Sequence, residues 1–309
     1  MATRVEAQQQ PLRLRATRRR WGEDVVKVVL ALCAFVSVAT TVGIVVALFA
    51  PAFEFFGEIS IVDFLTGRNW APLFEPPSFG VLPLIAGTLL VTACAALVCI
   101  PFGLGSAIYL SEYAQPRTRK FLKPALEVLA GIPTVVYGYF ALTFVTPLLQ
   151  DLGLGVGVFS ALAAGLVMGV MLLPTVASIS EDSMSAVPRD LRDGAYALGS
   201  TRLHVSTLIV VPAAISGIIA SFVLAISRAV GETMIVLIAA GGQPNWTWNP
   251  FEAVQTMTAF VAATGQGDVP TGSLEYKTIF AVGATLFVMT FFMNVIAIRL
   301  VRRFREVYE

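Results

Sequence analysis

The sequence predicts an all-α, polytopic membrane protein with six transmembrane helices and both termini cytoplasmic, and three observations carry that prediction. Of 309 residues, 56% are hydrophobic and 13% charged, about half the charged fraction of an ordinary soluble domain, so the chain cannot clothe itself in polar surface. Six runs, 28–51, 81–111, 128–150, 152–180, 203–227 and 278–298, contain no Asp, Glu, Lys or Arg, and each reaches the ~18 residues that mark a candidate span. Lys and Arg crowd into alternate loops, which orients the helices.

Residues 1–24 form a basic cytoplasmic arm holding Arg4, Arg13, Arg15, Arg18, Arg19 and Arg20. The first transmembrane helix follows at 25–51. Its apolar run is too long for the h-region of a cleaved signal peptide and no small-residue cleavage site stands out after it, so it reads as an anchor. The arginines before it suit orientation and lipid contact rather than nucleic-acid binding. An outer loop spans 52–80, five further transmembrane helices fill a core at 81–301, and 302–309 is a cytoplasmic end. The loop after the second run carries Arg117, Arg119, Lys120 and Lys123, the loop after the fourth Arg189, Arg192 and Arg202, and the C-terminal end Arg299, Arg302, Arg303 and Arg305. The alternate loops hold little beyond Arg68 and Lys277. By the positive-inside rule both termini are cytoplasmic, which requires an even number of spans. Pro212 therefore separates an interfacial segment from a single fifth helix. Trp21 falls at the inner boundary and Trp70, Trp246 and Trp248 in outer loops, as interfacial aromatics do.

Several chemistries are excluded. Cys33, Cys94 and Cys99 lie inside spans without CxxC spacing and read as small apolar packers. His204 is the only histidine, so a multi-histidine metal site is not expected. None of Lys27, Lys120, Lys123 and Lys277 follows a glycine, so there is no GxxxxGK[ST] phosphate loop. The chain is expected to have no catalytic group, metal or cofactor of its own, and any ATP hydrolysis falls to another chain.

The stretch Arg192 to Ala214, RDGAYALGSTRLHVSTLIVVPAA, is polar and glycine-punctuated between two apolar runs. It belongs to a cytoplasmic loop, 181–212. Pro188, Arg189 and Asp190 suit a helix start, Asp193 to Leu198 reads as helical turns that Gly199 stops, and a second short helix runs from Thr201 to before Pro212. Two short helices at a turn make a knob on the membrane face, either a plain connector or a docking element.

Asp193, Gly194, Ala195, Gly199, Ile209 and Pro212 together resemble the coupling motif of ABC-importer permeases, with Asp-Gly-Ala where that family usually has Glu-Ala-Ala. Gly194 in a helix costs ~1 kcal/mol relative to Ala. FGVLPLIAGTLL from Phe79, LAGIPTVVYGYFAL from Leu129, PTVASISEDSMSAVP from Pro174, SRAVGETM from Ser227 and GSLEYKTIFAVG from Gly272 are similar to the PstC-type permeases of phosphate-specific ABC importers. The resemblance covers most of the chain from Phe79 onward. It implies the type I ABC-importer permease fold, half of a pore shared with a PstA-type permease, a PstB-type ATPase dimer that binds ATP and Mg, and a PstS-type phosphate-binding protein outside. In that family the knob docks into a cleft on the ATPase.

Arg228 and Glu232 are the charged residues inside an apolar stretch. If the fifth helix runs from about Gly217 to Ala239, Arg228 lies at its midpoint, where an unpaired charge costs ~3 kcal/mol or more, and the i,i+4 spacing puts Glu232 on the same face. One reading is mutual neutralisation. The other is that Arg228 faces a translocation pathway, its guanidinium forking two phosphate oxygens while Glu232 keeps the grip weak enough for release; the resemblance implies transport roles for both. A permease for sulfate or molybdate, a proton-coupled secondary carrier titrating Glu232, and a purely structural membrane subunit are the alternatives. Gly131, Pro133 and Gly138 permit a bend or close packing in the third span; Thr134 and Tyr137 read as packing, Lys123 and Glu127 as a pair, and Phe251 to Thr264 as a short surface helix where a binding protein docks.

Overall fold

The computed structural model describes residues 21–303; the N-terminal arginines up to Arg20, and Arg305, lie outside the described residues. The chain divides into two units, 1–47 and 48–309. The described part of the first is the apolar body of helix α1 (Trp21–Glu58). This helix runs through Pro51, so the first residues of the predicted 52–80 loop are helical.

In the second unit, α2 (Ile61–Thr66) leads to a short antiparallel ribbon, β1 (Trp70–Ala71) with β2 (Ser78–Phe79), registered Trp70 against Phe79. Then come α3 (Leu82–Ile108), continued by a π-helical turn at Tyr109–Tyr113, α4 (Pro116–Gly131) and α5 (Thr134–Phe140). A second π turn, Ala141–Val145, joins α5 to α6 (Thr146–Asp151), before α7 (Ala161–Ser185). After α7 come α8 (Arg189–Ala197), α9 (Arg202–Val205), a third π turn at Ser206–Val210 and α10 (Val211–Ala213). The chain ends with α11 (Ile215–Val230), α12 (Met234–Ala239), α13 (Met257–Gly265) and α14 (Leu274–Arg303).

Among the described residues four helices are long and apolar enough to cross a membrane unaided: α1, α3 with its π turn, α7 and α14. Two further crossings are bent: α4 meets the α5–α6 stretch at 89°, and the α9–α10 stretch meets α11 at 72°. The total of up to six is compatible with the predicted count. The bends follow from proline. Pro133 disfavours helical backbone at Ile132 and ends α4; Pro212 removes an amide donor two residues before the break at Ala214. The second short cytoplasmic helix thus passes through Pro212 instead of stopping before it, because the preceding π turn relaxes the hydrogen-bond ladder there.

Helices α3 and α7 form the heart of the molecule. Gly165 and Gly169 on α7 allow the backbones to touch: a Cβ at Gly165 would sit 2.4 Å from the Cβ of Cys94, and one at Gly169 2.9 Å from the carbonyl of Ala95. This small-xxx-small spacing suits helix association in lipid, where no hydrophobic force drives helices together. Val91, Val167, Met168, Met171 and Leu172 fill the surrounding core. Across α7 and α11, the buried hydroxyls of Ser180 and Ser221 hydrogen-bond at 2.8 Å.

At the outer end a second cluster gathers Phe55, Phe64, Trp70 and Phe260. Trp70 is 3% exposed and packs edge-on against Phe260 at 4.9 Å, so it is core rather than an interfacial aromatic; Trp246 and Trp248 remain exposed. The predicted surface helix is also corrected. Helix α13 buries Met257, Thr258, Ala259, Phe260 and Thr264, because it is apolar nearly all round and has no polar face to turn to water. The amide of Met257 donates to Thr88 Oγ1 on α3 at 3.0 Å.

Replacing Gly165 with Val forces the α3–α7 seam apart. The expected result is an overpacking loss of about 1–3 kcal/mol, read as a lower thermal unfolding midpoint of the purified protein. An unchanged midpoint would refute the close-contact assignment.

Candidate coupling and translocation sites

Helix α8 forms where the sequence predicts a helix. Pro188 precedes its first turn, and its C-terminus closes in a Schellman motif: Gly199 N–H donates to Tyr196 O at 2.9 Å and Ser200 N–H to Ala195 O at 3.1 Å. Gly199 sits at φ +83°, a left-handed conformation that glycine adopts without a Cβ penalty. Asp193 and Gly194 are exposed, Ala195 is buried, Ile209 is half-buried and Pro212 exposed. Leu191, Tyr196, Leu198, Leu203 and Leu208 are exposed on the same knob, Leu198 at 88%. An apolar fringe around an exposed carboxylate is the composition of a docking face. The predicted 181–212 loop begins later than expected, since α7 continues to Ser185.

The charged residues at the inner ends of the helices form two networks that the sequence pattern does not reveal. Glu181 on α7, with a side chain 1% exposed, pairs with Arg119 and with Lys123 Nζ at 2.7 Å; Lys123 also meets Asp182 at 2.8 Å. Arg119 and Lys123 are one turn apart on α4, a helix with no buried residue, so this cluster straps α4 to α7. The Lys123–Glu127 pair expected within α4 is not made, because the buried Glu181 carboxylate presents a stronger, less solvated partner. In the second network Arg192 of α8 pairs with Glu112 of the first π turn at 3.0 Å. The signal that the sequence does carry is position: Glu112 and Glu181 are the first charges after their apolar runs.

The fifth helix differs most from expectation. It breaks at Gly231–Thr233 between α11 and α12, so Glu232 lies beyond the end of the helix that carries Arg228 and the i,i+4 relation is lost. Glu232 Oε1 instead accepts the amides of Met234 at 3.1 Å and Ile235 at 3.4 Å, capping α12, while Glu232 O accepts from Thr258 Oγ1 at 2.6 Å. Arg228 is exposed in the last turn of α11, and among the described residues no carboxylate lies within ion-pair distance of it. Its neighbour Ser227 donates to Asn294 Oδ1 on α14 at 3.2 Å. In the third span, Gly138 packs against Ile238 of α12 and Tyr137 is buried with its hydroxyl on Leu129 O at 2.8 Å, both consistent with packing.

Residues 99–306 match the family described as binding-protein-dependent transport system inner membrane component. The chain belongs to that family. It is a multi-pass inner-membrane permease subunit rather than an enzyme. It is 37% identical over 268 residues to the probable ABC transporter permease protein YqgH of Bacillus subtilis, covering 86% of each chain. It is 32% identical over 274 residues to the phosphate transport system permease protein PstC of Mesorhizobium japonicum, covering 82% of each. The fold resembles a bacterial ABC transporter involved in the import of the acidic polysaccharide alginate, with a TM-score of 0.62 at 17% identity over 93% of this chain and 100% of that one.

Two substitutions test the build of α8. A Cβ at Gly194 would meet nothing within 4 Å, so Gly194→Ala should stabilise the helix by about 0.5–1 kcal/mol. Gly199→Val forces a β-branched residue into the left-handed region and should cost about 1–2 kcal/mol. Thermal unfolding midpoints of the two variants should move in opposite directions.

Proposed function

We propose that this chain is the PstC-type permease subunit of an ATP-driven importer of inorganic phosphate. It forms one half of the translocation pathway, with a PstA-type permease as the other half, a PstB-type ATPase dimer carrying ATP and Mg, and a PstS-type phosphate-binding protein outside. The observation that carries the reading is Arg228: a permanent cation in the last turn of α11, beside the helix break, exposed on the surface of the chain and without a carboxylate partner among the described residues. Lipid cannot solvate it, so that surface faces a polar pathway or a partner that encloses one. A guanidinium holds two phosphate oxygens in a planar fork and never loses its proton. The phosphate permeases among the relatives agree with an anion as cargo.

Glu232 has a different task from neutralising Arg228. By capping α12 it keeps the helix broken beside Arg228, and its nearby charge keeps the anion site weak, as conduction requires. The knob of Asp193, Gly194, Ala195, Gly199, Ile209 and Pro212 docks on the ATPase, its exposed leucines filling an apolar cleft. ATP-driven closure of the ATPase dimer then moves the knob and alternates access to the pathway.

Arg228→Met combined with Glu232→Gln tests the anion role. The Glu232→Gln change removes the charge yet keeps an oxygen to accept the α12 amides, so assembly should be normal. Labelled-phosphate uptake per assembled complex should fall by about 30-fold or more, equivalent to the ~2 kcal/mol of a hydrogen bond between charged groups. Uptake at the parental rate, or competition by sulfate or molybdate as strong as by phosphate, would sink the assignment. Separately, Asp193→Lys should leave the chain in the membrane but abolish co-purification with the ATPase or uncouple hydrolysis from uptake; normal transport by that variant contradicts the docking role.

A further inference from the structure

We propose that the Arg192–Glu112 bridge is the mechanical link through which movement of α8 reaches the membrane helices, with Arg192 as a positioning residue; the inference rests on the reading of α8 as the ATPase-docking element. Of the residues in α8, Arg192 and Ala195 alone are not exposed. They are three positions apart and so share the inward face. Every other residue of α8 is exposed, and force applied to the knob enters the body chiefly through these two and the chain ends.

The two contacts differ in kind. Ala195 places one methyl in an apolar cluster with Ala107, Met184, Val187 and Val205; such a contact has no direction and permits sliding. Arg192 is fixed on every side. Its Nη1 donates to Val187 O at 2.6 Å, Nη2 to Met184 O at 2.8 Å and to Glu112 Oε1 at 3.0 Å, and Nε to Glu112 Oε2 at 3.4 Å. One planar group thereby joins α8, the C-terminal end of α7 and the end of α3. The Arg192 and Glu112 side chains are 15% and 7% exposed, so water competes little for the bridge, and Ser111 Oγ steadies the carboxylate at 2.9 Å.

Glu112 reaches this position because it sits in the π turn Tyr109–Tyr113. The extra residue of a π turn rotates the succeeding residues by about 100° relative to an uninterrupted α-helix. Since α3 and α7 pack backbone against backbone at Gly165 and Gly169, a displacement at their C-terminal ends moves them as one body and does not dissipate in the core. The bridge thus connects a surface knob to the close-packed α3–α7 pair.

The test uses the full chain in its complex with the ATPase. Arg192→Lys keeps the charge but loses the fork, Glu112→Gln keeps an acceptor but loses the charge, and a Glu112→Cys, Arg192→Cys pair in a background lacking Cys33, Cys94 and Cys99 permits bridging by a bis-maleimide. Uptake per ATP hydrolysed is measured in vesicles. A separate readout is the change that ATP with vanadate causes in thiol labelling of Ser227→Cys beside the pathway, scored in the two single variants. Both should assemble and hydrolyse ATP within about two-fold of the parent while uptake per ATP drops by about 10-fold and the nucleotide-dependent change in labelling disappears. Bridging the cysteine pair should restore uptake per ATP. Should Glu112→Gln fail to assemble, Arg192→Lys carries the test. Unchanged coupling and labelling in the assembled variants, or a parallel loss of hydrolysis and uptake that bridging does not repair, would reduce the bridge to a structural tie. The labelling readout involves no transported anion, so a parent complex that moves no phosphate overturns the proposed cargo while the link is still judged.

Discussion

The constraint on which the rest of this structure depends is that a backbone inside a bilayer must satisfy its own hydrogen bonds. It explains why the described chain is mostly helical and why the break between α11 and α12 is attended by specific groups. Where α11 stops, the Glu232 carboxylate accepts two amides of α12 and Thr258 donates to the Glu232 carbonyl. The π turns within the helical runs keep the ladder bonded while changing the direction of the side chains beyond them.

The same constraint sorts the charges. Glu181 is buried and held by Arg119 and Lys123; the Glu112 side chain is buried and held by Arg192. Removing either partner would strand a charge in a poorly solvated place, so these pairs act as ties between elements and not as sites for exchange. Arg228 is the contrasting case, an exposed cation in the last turn of α11 that no described carboxylate answers; in the function proposed above, a transported anion supplies the missing charge.

Packing and polarity divide the labour along the helices. The glycine seam of α3 and α7 gives a close-packed centre, the aromatic cluster around Phe55, Phe64, Trp70 and Phe260 gathers near the N-terminal end of α3, and the ionic ties gather at the C-terminal ends of α3 and α7. Helix α8 stands apart, with only the Ala195 methyl and the Arg192 guanidinium withdrawn from the surface. An element so lightly attached can be moved without unfolding the body, which fits a joint.

The sequence by itself determined the membrane class, the apolar runs, the knob at α8 with its glycine stop and the family. These properties are local: uncharged length and turn chemistry act over a few residues and leave a direct trace. Only the tertiary structure decided that Glu232 caps α12 and does not pair with Arg228, that Lys123 turns to α7 and away from Glu127, that Trp70 and α13 are core, and that Arg192 reaches Glu112. Glu232 is decided by the break after Val230, which offers it the unpaired amides of α12, whereas Lys123 chooses between a partner nearby in the chain and one brought near by folding. The distant partner wins when burial removes water from the contact and strengthens it, and burial is a property of the packed helices, which no local pattern records.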